Sequence, residues 1–511
     1  MKIRTLVAAA LAPVLVFGLT ACAKTEPVAT TAAPTELTEQ EETNVIALTL
    51  TENGIVCDSS AVYAANDIIY YEDGHDSTYG EGSAEEAHTT AKAAAQTVVH
   101  ITAPGTYLVT GTLAGQLLVD LGDGAKADEN ARVTLILDGA DIRCDVAPAV
   151  LFYRVYECAN KESFTLTPDL TDAGAVVVLR NESNVAGSHV AKIYKEGTTD
   201  KLYKFDGAFY SMQSLRIEGD GILNITGDNE GLDSELHLQI DSGEVNIFSQ
   251  DDGINTNEDG ISVTTINGGN IMISGGNGTE GDGIDSNGAL VINGGTLYAS
   301  GNPQTGDGGI DADLDILING GTVIATGSRN DEISADSAQI LMDMTFAQTV
   351  KKGAVLALSD NGNEVFSFTA PRDFTAAVIS APALQSDVPY TLTVDGTVQQ
   401  HGGEGGGMRP GAPDGQIPTP SDGNPPEKPE NQPPASNDDG WIELPPQYFT
   451  TPSDIPPVEP SAPPADEPPA KPDDQKPGTP DTRLPGDTEV FSAEFTVTAE
   501  NHAFCNICAV K

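Results

Sequence analysis

One short pattern returns at a fixed interval in the middle of this chain, and few folds accommodate such regularity. Ile-Asn-Gly-Gly begins at Ile266, Ile292 and Ile318, a period of 26 residues, with looser copies beginning at Ile217 and Ile240. A second pattern lies between the copies: Glu230-Gly231-Leu232-Asp233-Ser234, Asp252-Gly253-Ile254-Asn255-Thr256, Asp282-Gly283-Ile284-Asp285-Ser286 and Asp307-Gly308-Gly309-Ile310-Asp311, fading into Asp331-Glu332-Ile333-Ser334. A period in the twenties, built from short β-type runs between glycines, is the mark of stacked repeats, each of which needs its neighbours to bury its apolar face. The expected fold is therefore all-β, a parallel β-helix.

Within a repeat the side chains alternate. Ile271 and Ile273, Leu297 and Ala299, and Val323 and Ala325 share one face and form the expected core. Asn246, Met272, Tyr298 and Ile324 point the other way, either covered by a C-terminal sheet or exposed as a strip on which sugar rings stack. The row of Asn267, Asn293 and Asn319 predicts a structural ladder of side-chain hydrogen bonds at a corner.

Residues 1–22 read as an export signal, with Lys2 and Arg4, an apolar run from Leu6 to Leu19, then Leu19-Thr20-Ala21-Cys22. The tetrad is similar to the lipobox of bacterial lipoproteins, which implies a lipid on Cys22 and anchorage at the extracellular face of the cytoplasmic membrane. An ordinary cleaved signal peptide is the alternative. Residues 23–43 suit a flexible tether. Residues 44–336 are the expected repeat domain, regular over 214–336, with a polar excursion from Glu72 to Ala95. Residues 337–400 carry runs spaced as a small antiparallel sheet that caps the open end. Residues 401–487 are rich in Pro, Gly and Asp and are expected to be disordered or extended. Residues 488–511 include a strand-like run that returns to a folded edge. Five cysteines follow Cys22, an odd number that cannot complete a disulfide framework, and the Cys505/Cys508 pair lacks a partner pair.

The charge balance decides what can bind. A net charge of −51 argues against a phosphate-backbone partner, because nucleic-acid binders carry a basic patch. Stacking the repeats at about 4.8 Å aligns Glu230, Asp252, Asp282, then Asp307 or Gly308, then Asp331 in one row, and Asp233, Asn255, Asp285 and Asp311 in another. Adjacent carboxylates at that spacing repel by about 0.9 kcal/mol in water and about 3.5 kcal/mol at an effective dielectric of 20. No Lys or Arg lies between Arg216 and Arg329, and the one histidine is His237. Hard oxygen ligands with several carboxylates suit calcium, so these nine residues are candidate Ca²⁺ ligands. The plainer alternative is that Asp-Gly only makes turns, the glycine supplying a positive φ.

The repeat, with Gly105-Thr106-Tyr107 and Val133-Thr134-Leu135-Ile136-Leu137-Asp138-Gly139 upstream, resembles the exported carbohydrate-binding domain proteins of Gram-positive bacteria. The resemblance implies a right-handed parallel β-helix similar to that of pectate lyases, calcium at the turns, and binding of acidic plant polysaccharide such as polygalacturonate, with cellulose as a further ligand. It covers residues 98–396 and is weakest where the loops at 72–95 and 160–209 depart from the pattern.

A lyase needs a neutral Lys or Arg to remove the proton beside a uronate carboxylate. The acidic repeats contain none, although Lys201, Lys204, Arg216 and Arg329 border them; Lys201, Lys204, Arg329 and Tyr298 are candidate ligand contacts. The expected function is calcium-dependent, non-catalytic binding of pectin-type polysaccharide at the cell surface. A polysaccharide lyase and a surface adhesin are the alternatives. Flat aromatic platforms are scarce and the lone tryptophan, Trp441, lies in the Pro-rich stretch, which disfavours crystalline cellulose as the main ligand.

Overall fold

Each repeat contributes one short strand to each of three rows, and pairing within a row runs parallel from one repeat to the next. The computed structural model describes residues 45–73, 83, 85–194, 201–401, 495–496 and 504–509. All of these belong to one compact unit, residues 35–511. The export signal, the Cys22 lipid site, the tether and the Pro-rich stretch lie outside the described residues.

The first row is Leu215–Gly219, His237–Ile240, Val263–Ile266, Ala289–Ile292 and Ile316–Ile318. Its register sets Ile266 against Ile292 and Ile292 against Ile318, so the isoleucines of the repeated tetrapeptide stack on one another. The second row is Ile222–Gly227, Glu244–Ser249, Asn270–Ser274, Thr296–Ser300 and Thr322–Gly327. The third is Gly207–Ser211, Glu230–Ser234, Ile254–Thr256 and Ile284–Ser286. The fold is all-β, dominated by a large and mostly parallel sheet. Upstream strands extend the same rows: Gly105–Asp120 pairs in parallel with Ile46–Thr51, Thr97–Ile101, Val133–Arg143 and Val150–Arg154. The excursion after Glu72 ends in a short helix, Thr90–Ala94, whose N-cap Thr89 accepts a hydrogen bond from the Lys92 N–H.

Stacking puts like on like, and for the apolar positions that is favourable. Ile271, Ile273, Leu297, Ala299, Val323 and Ala325 are all buried in one continuous core, joined by Leu232, Ile254 and Ile284 of the third row. Burying one such Leu or Ile side chain is worth about 1.5–3 kcal/mol. Polar positions also gain from the register. Asn319 donates to the Asn293 side-chain oxygen at 2.9 Å, Asn293 to Asn267 at 2.9 Å, and Asn267 to the Asp241 carboxylate at 2.8 Å. Arg216 holds that carboxylate at 2.6 Å. The asparagine row is a structural ladder.

The later members of the outward row are covered, while Asn246 stays half-buried. Tyr298 and Ile324 form a second core with Met342, Met344, Phe374 and Ile379, and Met272 packs against its margin. Strand Phe374–Ser380 pairs antiparallel with Thr322–Gly327, the last strand of the second row, and with Leu341–Val350 on its other side. Tyr298 is only 2 % exposed, and its hydroxyl lies 3.1 Å from that of Thr326. The idea that Tyr298 contacts a ligand is therefore corrected: the capping strands exclude solvent from its ring. Arg372, on the cap, donates to the carbonyls of Gly275 and Gly276 and ties the cap to the repeats. The remaining C-terminal strands, Val355–Asp360, Asn363–Thr369, Pro389–Val394 and Thr397–His401, pair antiparallel. Phe504–Ala509 pairs with Leu341–Val350 and Thr397–His401; of the strand-like run ending at Val497, the described residues Phe495–Thr496 pair antiparallel with Pro389–Val394.

If register stacking of the isoleucines carries the stability, Ile284→Ala lowers it by about 2–5 kcal/mol. Chemical denaturation monitored by circular dichroism reads this directly, and an unchanged midpoint would contradict the assignment.

Candidate functional site

The acid-bearing stretch of each repeat enters the third row with strict alternation. Leu232, Ile254 and Ile284 point into the core and align in register, so the residues after them, Asp233, Asn255 and Asp285, align on the opposite face. Tyr210 precedes Asp233 in the same row. The glycines before the apolar residues do not adopt positive φ, which corrects the turn reading. They are there for closeness: a Cβ on Gly253 would lie 2.1 Å from Ile273 Cγ2 and 2.5 Å from the Gly283 carbonyl oxygen. Positive φ belongs instead to the second glycine of the other motif, Gly269, Gly295 and Gly321. The residue closing each copy is a corner hydroxyl turned inward, with Thr256 Oγ1 2.9 Å from Ser286 Oγ and Ser234 donating to the His237 carbonyl at 3.0 Å.

The acids, uniform in sequence, divide into two kinds. Asp252 Oδ1 accepts from the Asp282 N–H at 2.6 Å, and Asp282 Oδ1 accepts from the Gly308 N–H at 2.5 Å, each reaching one repeat onward. Asp307 accepts from the Gly281 N–H at 3.0 Å. These three carboxylates secure the backbone of adjacent repeats. Glu230, Asp233 and Asn255 differ. Asp233 is fully buried, Glu230 is 7 % exposed and Asn255 is 8 % exposed. Glu230 Oε1 accepts from Asn255 Nδ2 at 3.3 Å, but with both acids ionised Glu230 Oε2, both oxygens of Asp233 and Asn255 Oδ1 are buried and meet no donor; a proton on Glu230 is shared with Asp233. Leaving a buried polar atom unsatisfied costs about 1–3 kcal/mol, and more for a charged group.

Electrostatics follow from the burial. Desolvation, reinforced by neighbouring acids, pushes the carboxyls of Glu230, Asp233 and Asp252 well above the usual range. The same cause raises Asp282 to about 7, and Asp251, Asp285 and Asp311 to about 6. Two of the bordering basic residues reach acids, one at each end. Lys204 Nζ lies 2.5 Å from Asp206 Oδ2. Burial works against its ammonium, yet Asp206, Glu230 and Asp233 outweigh that and hold its pKa above the ordinary lysine value. Arg329 reaches Asp311 at 3.4 Å. Lys201 lies in strand Lys201–Phe205, which pairs with Val190–Tyr194 away from the three rows. Asp206 escaped the sequence reading because its repeat is disguised. Phe209-Tyr210-Ser211 pairs in register with Leu232-Asp233-Ser234, and the apolar-x-Ser pattern was the signal available.

The donor set fits a hard cation. Carboxylate and amide oxygens alone, several of them lacking donors, are what calcium prefers. Among the described residues, however, no three His, Cys, Asp or Glu side chains are drawn together as a ready metal-binding group. Only two carboxylates, Glu230 and Asp233, belong to the set without donors, and the amide oxygen of Asn255 is its third member.

A profile of the carbohydrate-binding domain-containing protein family matches residues 95–361, just over half of the chain. The chain belongs to that family. The matched span contains all three rows of regular repeats and the acid row. Comparison with curated proteins and with solved structures gives no match. Family membership supports carbohydrate binding, and with it a polysaccharide partner and a non-catalytic role.

The buried acids set a pH dependence whose sign can be worked out. Unfolded, each carboxyl titrates near about 4; folded, Asp251, Asp285 and Asp311 titrate near 6 and Asp282 near 7. Between those limits the folded chain binds more protons, so stability falls as pH rises through the window. In metal-free buffer the melting temperature is expected to drop from pH 4.5 to 7.5, and Asp282→Asn to shallow the slope. A flat or rising profile would contradict the assignment.

Proposed function

We propose that this protein binds acidic polysaccharide of the polygalacturonate type through calcium, without cleaving it. The three rows are read as the faces of a right-handed parallel β-helix, exported and held at the cell surface by a lipid on Cys22. The observation that carries the calcium reading is the buried set of oxygens without donors on Glu230, Asp233 and Asn255. These three residues would hold the ion, with Asp285 next in register along the same face. When bound, calcium supplies positive charge and open coordination positions to which uronate carboxylates are attracted. The protein's own part is to keep the acids in a fixed row, dry enough that neutralisation is favoured. The charge of −51 would otherwise repel an anionic chain.

A lyase is the second reading, and Lys204 bears on it. A base that removes the proton beside a uronate carboxylate must be neutral, whereas Lys204 is ion-paired to Asp206 and held more firmly protonated than an ordinary lysine. Arg329, at the other end, is engaged with Asp311. This supports binding over cleavage.

Retention on immobilised polygalacturonate is expected to vanish in chelator, to return with calcium and to stay absent with magnesium, which demands a smaller octahedral shell. Calcium at about 100 times its Kd would stabilise the fold by about 2.7 kcal/mol, and Asp233→Asn should abolish most of the resulting rise in melting temperature. Undiminished retention in chelator would sink the proposal.

A further inference from the structure

Upstream of the acid row, the same face of the third row changes character. In register, Tyr210 follows Leu151, Leu151 follows Leu118, and Leu118 follows His100. Two strand spacings of about 4.8 Å each separate Leu151 from Asp233. Over this upstream part lies a cavity of about 330 Å³, whose lining includes Asp67, Ile69, Tyr153, Arg154 and Phe205. That volume is at the lower end of the range of about 300–1,000 Å³ that small-molecule sites occupy.

The lining combines apolar rings with carboxylate acceptors. Tyr63 stacks flat on His100, ring centroids 4.5 Å apart, and His100 Nε2 lies 2.9 Å from Asp67 Oδ1. Tyr63 is 46 % exposed and Ile69 39 %, which places two of the few exposed large apolar side chains at this one spot. The Arg154 guanidinium sits over the Tyr153 ring, 5.3 Å from its centroid. Its charge is already committed: it donates to both oxygens of Asp120, at 2.5 and 2.6 Å, and to Asp123.

The charge count decides the ligand class. Arg154 is paired with Asp120 and Asp123, and Asp67 with His100, so acids outnumber the one guanidinium and no uncommitted arginine is offered to a carboxylate. Unlike the row at Glu230 and Asp233, it has no set of buried oxygens without donors to hold a cation. The arginine already takes both oxygens of Asp120, so Asp67 is the acceptor suited to a hydroxyl donor, through the oxygen beyond its His100 contact, and the rings suit the C–H faces of a sugar. We propose that this cavity holds a neutral pyranose ring of a polysaccharide, a subsite separate from the acid row and independent of calcium. The inference rests on the carbohydrate binding that the family supports, and not on the calcium reading.

The test is isothermal titration of the full chain in chelator with cellopentaose, xylopentaose and mannopentaose, and with pentagalacturonate as competitor. At least one neutral pentasaccharide is expected to bind. Asp67→Ala and Tyr153→Ala should each weaken that binding tenfold or more, and pentagalacturonate should not displace it. Asp67 is exposed, so the first variant keeps its fold even where Tyr153→Ala does not, and melting curves verify this. Absence of binding by all three neutral sugars, unchanged affinity in Asp67→Ala, or displacement by pentagalacturonate would each overturn the proposal. Because chelator is present throughout, these outcomes are separate from failure of the calcium reading.

Discussion

Parallel pairing in register is the constraint from which the rest of this structure follows. Once each strand hydrogen-bonds to its equivalent one repeat away, every side chain meets its own kind. Isoleucine on isoleucine builds a continuous core, and asparagine on asparagine builds a ladder that ends on Asp241. The same rule forces acid towards acid. The chain meets that difficulty in three ways: backbone N–H groups reach Asp252 and Asp282, cations reach Asp206 and Asp311 at the two ends, and Asn255 stands between Asp233 and Asp285 in register. Glu230 and Asp233 are what this leaves unmet, and that residue of unfavourable charge defines the site.

The fold was legible because periodicity is a property of sequence alone. The 26-residue spacing set the repeats, and the two-residue alternation separated Ile271 and Ile273 from Met272 correctly. The candidate site was legible only in part. Nine acidic or amide residues looked equivalent in sequence, yet their partners differ, because a hydrogen bond from the Gly308 N–H to Asp282 depends on loop geometry that no spacing encodes. Lys204 was seen as a neighbour of the repeats but not as the ion-pair partner of Asp206, since the strand that carries it interrupts the pattern. The upstream cavity was invisible for a related reason. Its walls come from residues around Asp67, Tyr153 and Phe205, far apart in sequence and in the irregular loops where the pattern breaks down.

Glycine illustrates how one residue type serves two ends within one repeat. In Ile-Asn-Gly-Gly the second glycine turns the chain through a positive φ; in Asp-Gly-Ile-Asp the glycine lets the next repeat approach to within contact of the backbone. A sequence reader sees the same letter in both, and only the neighbour's distance distinguishes them.

The strand Phe374–Ser380 has a consequence for length. A stack of near-identical repeats contains no internal instruction to stop, since its last parallel edge is as receptive as every edge before it. An antiparallel strand laid along Thr322–Gly327 ends the series, because the hydrogen-bond pattern it leaves no longer matches that of another repeat. The stack of repeats thus has a fixed extent, set by where the chain reverses direction, and the protein becomes a gauge of defined span in place of the seed of a fibre.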